Sequence, residues 1–363
     1  MQRRVVIMAG GAGERFWPAS RQGRPKQLLR LLGDRTMLEL AVERLAPLIA
    51  PEQVTIVLGA DIEAQAREVL ARHPGIAFLV EPARRNTCAC LALAHAFHLE
   101  HHGPHVCAVV TADHTIKPEA DFRAHLDAAL RLAEEERRVV LFGMKATRPD
   151  TAYGYIEAAA PVRPGAPGPR AFQVARFTEK PPRELAERYL AAGNYYWNSG
   201  MFFWRSDVFS EALHAHAPAH AALEGTFAPG RDAARLERFL AAPPQPIDRA
   251  IMEKLSGILM LEATFEWDDV GSWTSLERLH EPDADGNIAV GGAVLRDSRG
   301  CIVYGEGERP GDPSPRVAVL GCHNLVIAVS GNRVLVMPKD RAQDVKLVGG
   351  DGPSGSSGTA HKH

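Results

Sequence analysis

The sequence predicts an α/β fold: a mixed but mostly parallel sheet with helices on both faces, followed by a smaller strand-rich domain. Three observations predict it. Short β-branched runs alternate with helical patterns through the first two-thirds of the chain, the rhythm of strands joined by crossover helices. Those helical patterns carry their own start signals. Beyond Asp285 they nearly vanish, and short strands recur at fairly even spacing.

Strands of the sheet are predicted at residues 5–8, 54–58, 77–80, 106–111 and 139–142. Thr36 and Glu39 make a capping-box pattern ahead of Leu38, Val42, Leu45 and Ile49, and Asp61 and Asp121 read as N-caps of later helices. Over residues 153–204 the pattern changes to strands around one helix, 183–192, which opens after Pro181-Pro182 and closes at Gly193. This stretch reads as a substrate-facing insertion. The boundary is placed near residue 285, giving a large domain over 1–285 and a strand-rich one over 286–348, with strands at 288–295, 301–304, 316–320, 325–329 and 334–337. Residues 349–363 are Gly/Ser-rich and are predicted to be a disordered tail.

A chain of 363 residues exceeds the usual single-domain size. With 42 Lys plus Arg against 44 Asp plus Glu, no broad basic field advertises nucleic acid, and an anion site must be built locally from loops. Five cysteines without paired metal-ligand spacing fit reduced thiols and a cytoplasmic protein. The first apolar run follows basic residues but breaks at Gly10-Gly11, too soon for a signal segment or a membrane span.

The strongest local signal is the first strand running into Met8-Ala9-Gly10-Gly11-Ala12-Gly13-Glu14-Arg15. Its glycines let backbone N–H groups approach a phosphate, and Arg15 adds a donor fork. It lacks the Gly-Lys-Ser/Thr ending of a Walker loop, and Phe16 stands where a dinucleotide fingerprint needs a third glycine. Taken alone, it fits a glycine turn equally well. Lys26, in Arg24-Pro25-Lys26-Gln27, is a second cation close in sequence, suited to neutralising a phosphate under attack. A buried-strand run ends at Asp113, where ligands of open α/β sheets sit. A later strand-like run ends in Trp267-Asp268-Asp269-Val270-Gly271-Ser272-Trp273. Two aspartates converging on Mg²⁺ would bridge triphosphate oxygens, although Asp268 and Asp269 serve equally as caps of the following helix.

With these segments the chain resembles the sugar nucleotidyltransferases, most closely the mannose-1-phosphate guanylyltransferases, over about residues 3–345. Three further segments narrow the resemblance: Glu81-Pro82-Ala83-Arg84-Arg85-Asn86-Thr87, Phe177-Thr178-Glu179-Lys180-Pro181 and Trp197-Asn198-Ser199-Gly200-Met201-Phe202. It implies a Rossmann-like nucleotidyltransferase fold, a short C-terminal left-handed β-helix and GDP-mannose synthesis from GTP and mannose 1-phosphate with Mg²⁺. It further implies a triphosphate held by Ala9, Gly10, Gly11, Gly13 and Arg15, with Lys26 at the α-phosphate and Asp113 and Asp269 on the metal. Lys180 is implied at the sugar phosphate, Glu179, Asn198 and the Gly154 backbone at the sugar, and Glu81, Asn86 and Thr87 in the base-recognition loop. A homodimer is expected, without nucleic-acid or membrane partners.

The same reaction with another sugar phosphate or triphosphate, and a catalytically silent nucleotide-sugar-binding subunit, are the alternatives. Two positions depart from the family pattern. Glu14 stands where a small residue is usual, and Asp268 replaces a serine-like position, leaving the choice between Asp268 and Asp269 open. No room is left for the isomerase domain of longer relatives, so a monofunctional enzyme is expected. The segment from Pro246 to Lys254 fits a helix near the sugar site and a plain amphipathic helix equally. His95, His98 and His102, with His101 and His105 nearby, evoke a zinc site, but a solvated helix end is the preferred reading. Cys88 and Cys90 read as buried apolar fillers.

Overall fold

The computed structural model describes residues 1–11, 13–165, 168–306, 313 and 315–348; the predicted disordered tail at 349–363 lies outside them. Contacts divide the chain into two units, Met1–Gly10 with Arg35–Asp269, and Gly11–Asp34 with Val270–His363.

The first unit is built on strands β1 (Gln2–Met8), β2 (Val54–Gly59), β3 (Ala77–Glu81), β4 (His105–Thr111), β5 (Thr115–Lys117), β6 (Val140–Lys145), β7 (Tyr155–Val162), β8 (Ala171–Thr178), β9 (Tyr195–Arg205), β10 (Leu259–Ala263) and β11 (Glu266–Asp268). Nine of them form one sheet in the order β3-β2-β1-β4-β9-β6-β10-β8-β7, while β5 and β11 pair separately. The sheet is mixed, as expected: seven strands run the same way and β8 and β9 run against them, which makes four parallel and five antiparallel pairings. The apolar runs explain this: Val5, Ile7, Ile56, Val57, Val106 and Val109 are all buried, which suits strands covered on both faces.

Helices α1 (Met37–Leu45), α2 (Glu63–Val69), α3 (Asn86–His102), α4 (Glu119–Glu136) and α5 (Arg183–Ala192) connect the strands. The predicted capping box is present at α1: Thr36 Oγ1 accepts from the Glu39 amide at 3.1 Å, and Glu39 Oε2 accepts from the Thr36 amide at 2.8 Å. The other two caps are corrected. Asp61 lies before the start of α2 and accepts from Arg84 Nη2 at 2.8 Å, and Asp121 lies inside the first turn of α4, which begins after Pro118. Helix α5 begins after Pro182 and ends at Gly193, whose φ of 76° gives the left-handed cap the sequence predicts.

The histidine reading is also corrected. His95 and His98 on α3 and His105 on β4 are buried, because α3 carries Ala, Leu and Cys on every face through His98. Cys88 and Cys90 are buried as expected.

The second unit contains β12 (Ile288–Val290), β13 (Ala293–Arg296), β14 (Ile302–Glu306), β15 (Val317–Leu320), β16 (Leu325–Ser330) and β17 (Arg333–Pro338). β12, β14 and β16 stack in parallel, β17 closes that sheet antiparallel, and β13 pairs with β15 in parallel. This is the stacking of a β-helix. Val303, Val319 and Ile327 form its core. The segment Gly11–Asp34 joins this unit through a buried aromatic column: Phe16 lies 5.0 Å from Trp273, which lies 4.9 Å from Tyr304, and Trp273 Nε1 donates to the Trp17 carbonyl at 3.0 Å.

Candidate active site

Four peptide segments of the first unit converge on a cavity of about 260 Å³. Glu179 and Lys180 follow the end of β8, Asn198 lies within β9, Gly154 precedes β7 and Asp269 follows β11. The sequence-predicted sugar-side residues and one predicted metal ligand therefore meet in one place.

Gly154 lets Glu179 approach its backbone closely. A Cβ there would lie 2.7 Å from Glu179 Oε2 and 3.4 Å from both Asn198 Cβ and Phe177 Cζ. The Gly154 carbonyl accepts from the Asn198 amide at 2.8 Å, which locks the two segments together. Lys180 Nζ lies 2.9 Å from Glu179 Oε1, with the lysine side chain 60% exposed and the glutamate 10%. The pair thus presents a mobile cation at the rim and a fixed acceptor inside.

Asp248 also lines this cavity; the sequence reading set its segment near the sugar site without singling this residue out. It opens a π-helical turn, Asp248–Met252, and its Oδ1 accepts from Asn198 Nδ2 at 3.0 Å. Burial, then the negative charge of Glu179, pushes its carboxyl up to about 6. The π turn explains why, since it breaks the helical period that the segment otherwise shows. Tyr153, Trp267 and His114 were not singled out either. Tyr153 donates from its hydroxyl to Asp269 Oδ1 at 2.8 Å, and burial followed by the Asp269 charge raises its phenol. Trp267 Nε1 donates to His114 Nδ1 at 3.1 Å, so that nitrogen is an acceptor and His114 points Nε2 toward Asp113 Oδ1, 3.8 Å away.

The two predicted metal ligands are related by a ladder. β5 pairs antiparallel with β11, with Asp268 opposite Thr115. Asp269 follows the last pair of that ladder, and Asp113 lies two residues before Thr115 with its Oδ1 3.8 Å from His114 Nε2. Asp268 is buried within the ribbon, whereas Asp269 lines the cavity. Both are carboxylates at the same end of one ribbon, and carboxylates are the hard oxygen donors that Mg²⁺ takes.

At the other end of the sheet, Glu81 closes β3, and a Cβ at Gly10 would lie 3.7 Å from its Oε2. Burial pushes the Glu81 carboxyl up to about 7 against the opposing charge of Arg84. Asn86 adopts φ 66° and its Oδ1 accepts from the Thr87 amide at 2.8 Å. Thr87 Oγ1 accepts from the Ile247 amide at 2.9 Å, tying the start of α3 to the Asp248 turn. Ala9 is buried and its amide donates to the Val57 carbonyl at 2.8 Å.

The remaining loop residues belong to the second unit. Gly11 and Gly13 have φ of 105° and 62°, conformations that favour glycine. Glu14 and Arg15 are exposed, and Lys26 is buried at the start of a short 3₁₀ turn. Gly13 and Lys26 touch: a Cβ at Gly13 would lie 2.7 Å from both Lys26 N and Lys26 Cβ.

Two family models match the chain: a nucleotidyl transferase model over residues 4–286 and a mannose-phosphate isomerase/GMP-like β-helix domain model over residues 291–349. The chain is 36% identical over 351 residues to the xanthan biosynthesis protein XanB of Xanthomonas campestris pv. campestris strain B100, covering 94% of this chain and 72% of that one. It is also 36% identical over 353 residues to a mannose-1-phosphate guanylyltransferase of Escherichia coli, with the same 94% and 72% coverage. A solved structure from Thermus thermophilus, described as a mannose-1-phosphate geranyltransferase, superposes with a TM-score of 0.84 at 36% identity, over 96% of this chain and 98% of that one.

Proposed function

We propose, from the premise that the chain belongs to the nucleotidyl transferase family, that it transfers a guanylyl group from GTP to mannose 1-phosphate, giving GDP-mannose and pyrophosphate. The observation that carries this reading is the cavity that gathers Gly154, Glu179, Lys180, Asn198 and Asp269 from separate segments. It offers a sugar phosphate a cation, carboxylates and an amide, which is the chemistry needed to hold hydroxyls and a phosphate together.

In this reading a phosphate oxygen of mannose 1-phosphate attacks the α-phosphorus of GTP as the bond to pyrophosphate breaks in line. No covalent enzyme intermediate is needed, because positioning and charge neutralisation supply the catalysis. Lys180 holds the sugar phosphate, Glu179 accepts hydrogen bonds from sugar hydroxyls, and Asn198, oriented by Asp248, and the Gly154 backbone complete the sugar contacts. Gly10, Gly11 and Gly13 with Arg15 cradle the triphosphate, Lys26 stabilises the α-phosphate, and Glu81, Asn86 and Thr87 form the base-recognition loop. Asp113 and Asp269 would hold Mg²⁺, which supplies charge neutralisation on the triphosphate when bound. Tyr153 orients Asp269 through its hydroxyl.

The catalytic domain in this reading runs to about residue 285, with the β-helix beyond it. Free thiols at Cys88, Cys90, Cys107, Cys301 and Cys322 support a cytoplasmic site of action. No described helix is long and apolar enough to cross a membrane. Exposed Val294, Leu320, Val334 and Val336 on the strand-rich unit support a homodimer, which a light-scattering mass tests.

Pyrophosphate release measured across four nucleoside triphosphates and several sugar 1-phosphates tests the whole reading. GTP with mannose 1-phosphate and Mg²⁺ is expected to give the highest kcat/KM. Faster turnover with another pair reassigns the substrates, and tight GTP binding without pyrophosphate release overturns the enzyme.

A further inference from the structure

We propose that His98, His105 and Cys107 form a second metal site, buried between α3 and β4, that takes one thiophilic transition-metal ion of the zinc class. It is separate in residues and in chemistry from the carboxylate pair Asp113 and Asp269. One ligand atom from each of the three side chains lies within 4.8 Å of the others, and all three residues are buried.

The backbone explains why they meet. Alternation along β4 puts His105 and Cys107, two residues apart, on the same face of the strand. Helix α3 brings His98 to that face, where its ring centroid lies 5.2 Å from that of His105. Zinc–nitrogen and zinc–sulfur bonds of about 2.0 and 2.3 Å place tetrahedral ligands roughly 3.5 Å apart, so an ion needs to draw the donors in by no more than about 1 Å.

The outer contacts prepare both rings to bind. His105 Nδ1 lies 2.8 Å from the Gly103 carbonyl, which only accepts, so Nδ1 carries the proton and Nε2 keeps a lone pair. His98 Nε2 lies 2.8 Å from Thr55 Oγ1, while its Nδ1 is buried with no hydrogen-bond partner. Metal-bound histidines show this arrangement, one nitrogen anchored to a protein oxygen and the other presented to the ion. Burial holds both imidazoles neutral, His105 being pushed down to about 4, and the registered neighbour of Cys107 on β1, Arg4, adds positive charge in the same sense. Without metal, burial pushes the Cys107 thiol up to about 12. Binding replaces its proton: the S–H bond breaks, the sulfur–metal bond forms, and H⁺ leaves to solvent. His95 is a further buried imidazole beside this group, with an unpartnered Nδ1 and its ring centroid 6.4 Å from that of His105.

Because the site is closed to solvent, the ion enters as the chain folds, and the full chain is best loaded during synthesis. Protein produced in cobalt-supplemented medium and desalted is expected to hold one Co²⁺ per chain, with a thiolate-to-cobalt charge-transfer band in the near ultraviolet. His361 and His363 in the terminal tail carry no sulfur and cannot produce that band. Cys107→Ser and His105→Gln are each expected to abolish the band and reduce retained cobalt to none, while Cys88→Ser leaves both unchanged. A wild-type protein without the band, or a band that survives Cys107→Ser, overturns the site. The wild-type spectrum decides the matter even if a variant fails to fold.

Discussion

Gly13→Ala places a methyl group where the backbone leaves no room. With φ at 62°, an alanine at this position carries the left-handed penalty, about 1–2 kcal/mol. Its Cβ would also lie 2.7 Å from Lys26 N, closer than real Cβ atoms approach, and 3.2 Å from Lys26 Cα. The obstacle is backbone, so no side chain can swing aside, and overpacking of this kind adds about 1–3 kcal/mol. Retreat on the Gly13 side is resisted by Ser20 Oγ, which donates to the Gly13 carbonyl at 2.6 Å. Lys26 must therefore shift. If half of the combined cost of roughly 2–5 kcal/mol is expressed as lost transition-state stabilisation, kcat falls about 5- to 70-fold, with little change in KM for mannose 1-phosphate. Pyrophosphate release by Gly13→Ala, Lys26→Ala and the double variant reads this directly. Since the alanine acts through the lysine, the double variant is expected to match Lys26→Ala alone. A Gly13→Ala enzyme with wild-type kcat, or a double variant whose losses are the sum of the singles, refutes the reasoning.

Asp113→Asn and Asp269→Asn are each expected to lower turnover by about 100-fold or more at fixed Mg²⁺, and full turnover in either removes that residue from the metal site. Glu81 has a folded pKa of about 7 against an ordinary 4.5, so the stability it allows is fully present below about 4.5 and is lost as pH rises through 7, a difference on the order of 3 kcal/mol. Glu81→Gln is thus expected to leave the melting temperature at pH 5 nearly unchanged and raise it at pH 8; equal shifts at both pH values contradict the burial argument. Trp273→Ala removes a fully buried ring and the hydrogen bond to the Trp17 carbonyl, costing about 3–5 kcal/mol in chemical denaturation, and a loss under about 1 kcal/mol contradicts the aromatic column.

Features written in local pattern were legible in the sequence, and features decided by packing were not. The runs at Val5, Val54 and Val106 are strands because β-branched residues there are buried on both faces, and Thr36 caps α1 because its partner Glu39 lies three residues away. Glu179, Lys180, Asn198 and Gly154 were singled out because each lies in a short distinctive segment, and all four line one cavity. Asp248 was not singled out within its segment because that segment fits a plain amphipathic helix equally, and only the π turn reveals which residue faces the cavity. Asp61 failed as a cap because Arg84, distant in sequence, claims its carboxylate. The histidines of α3 carried a signal that went unused: a helix apolar on every face has no solvated side, so histidines within it belong to the core.

The glycine loop shows a deeper limit of reading along the chain. It follows β1 directly, so sequence order assigns it to the sheet, yet its contacts assign Gly11–Asp34 to the unit that begins at Val270. The residues responsible are aromatic and far apart in sequence: Phe16 and Trp17 meet Trp273, and Trp273 meets Tyr304, whose hydroxyl donates to Glu306 Oε2 at 2.7 Å. Glu306 in turn is ion-paired with Arg24, two residues before Lys26. Both ends of the loop are thus fastened to the strand-rich unit, one through apolar rings and one through charge. If this loop holds a triphosphate, as proposed above, its backbone donors must be fixed before the ligand arrives, since ordering them on binding would cost affinity. The β-helix therefore acts as the loop's scaffold, and damage to its aromatic column should reach catalysis through Arg15 and Lys26 without touching either residue.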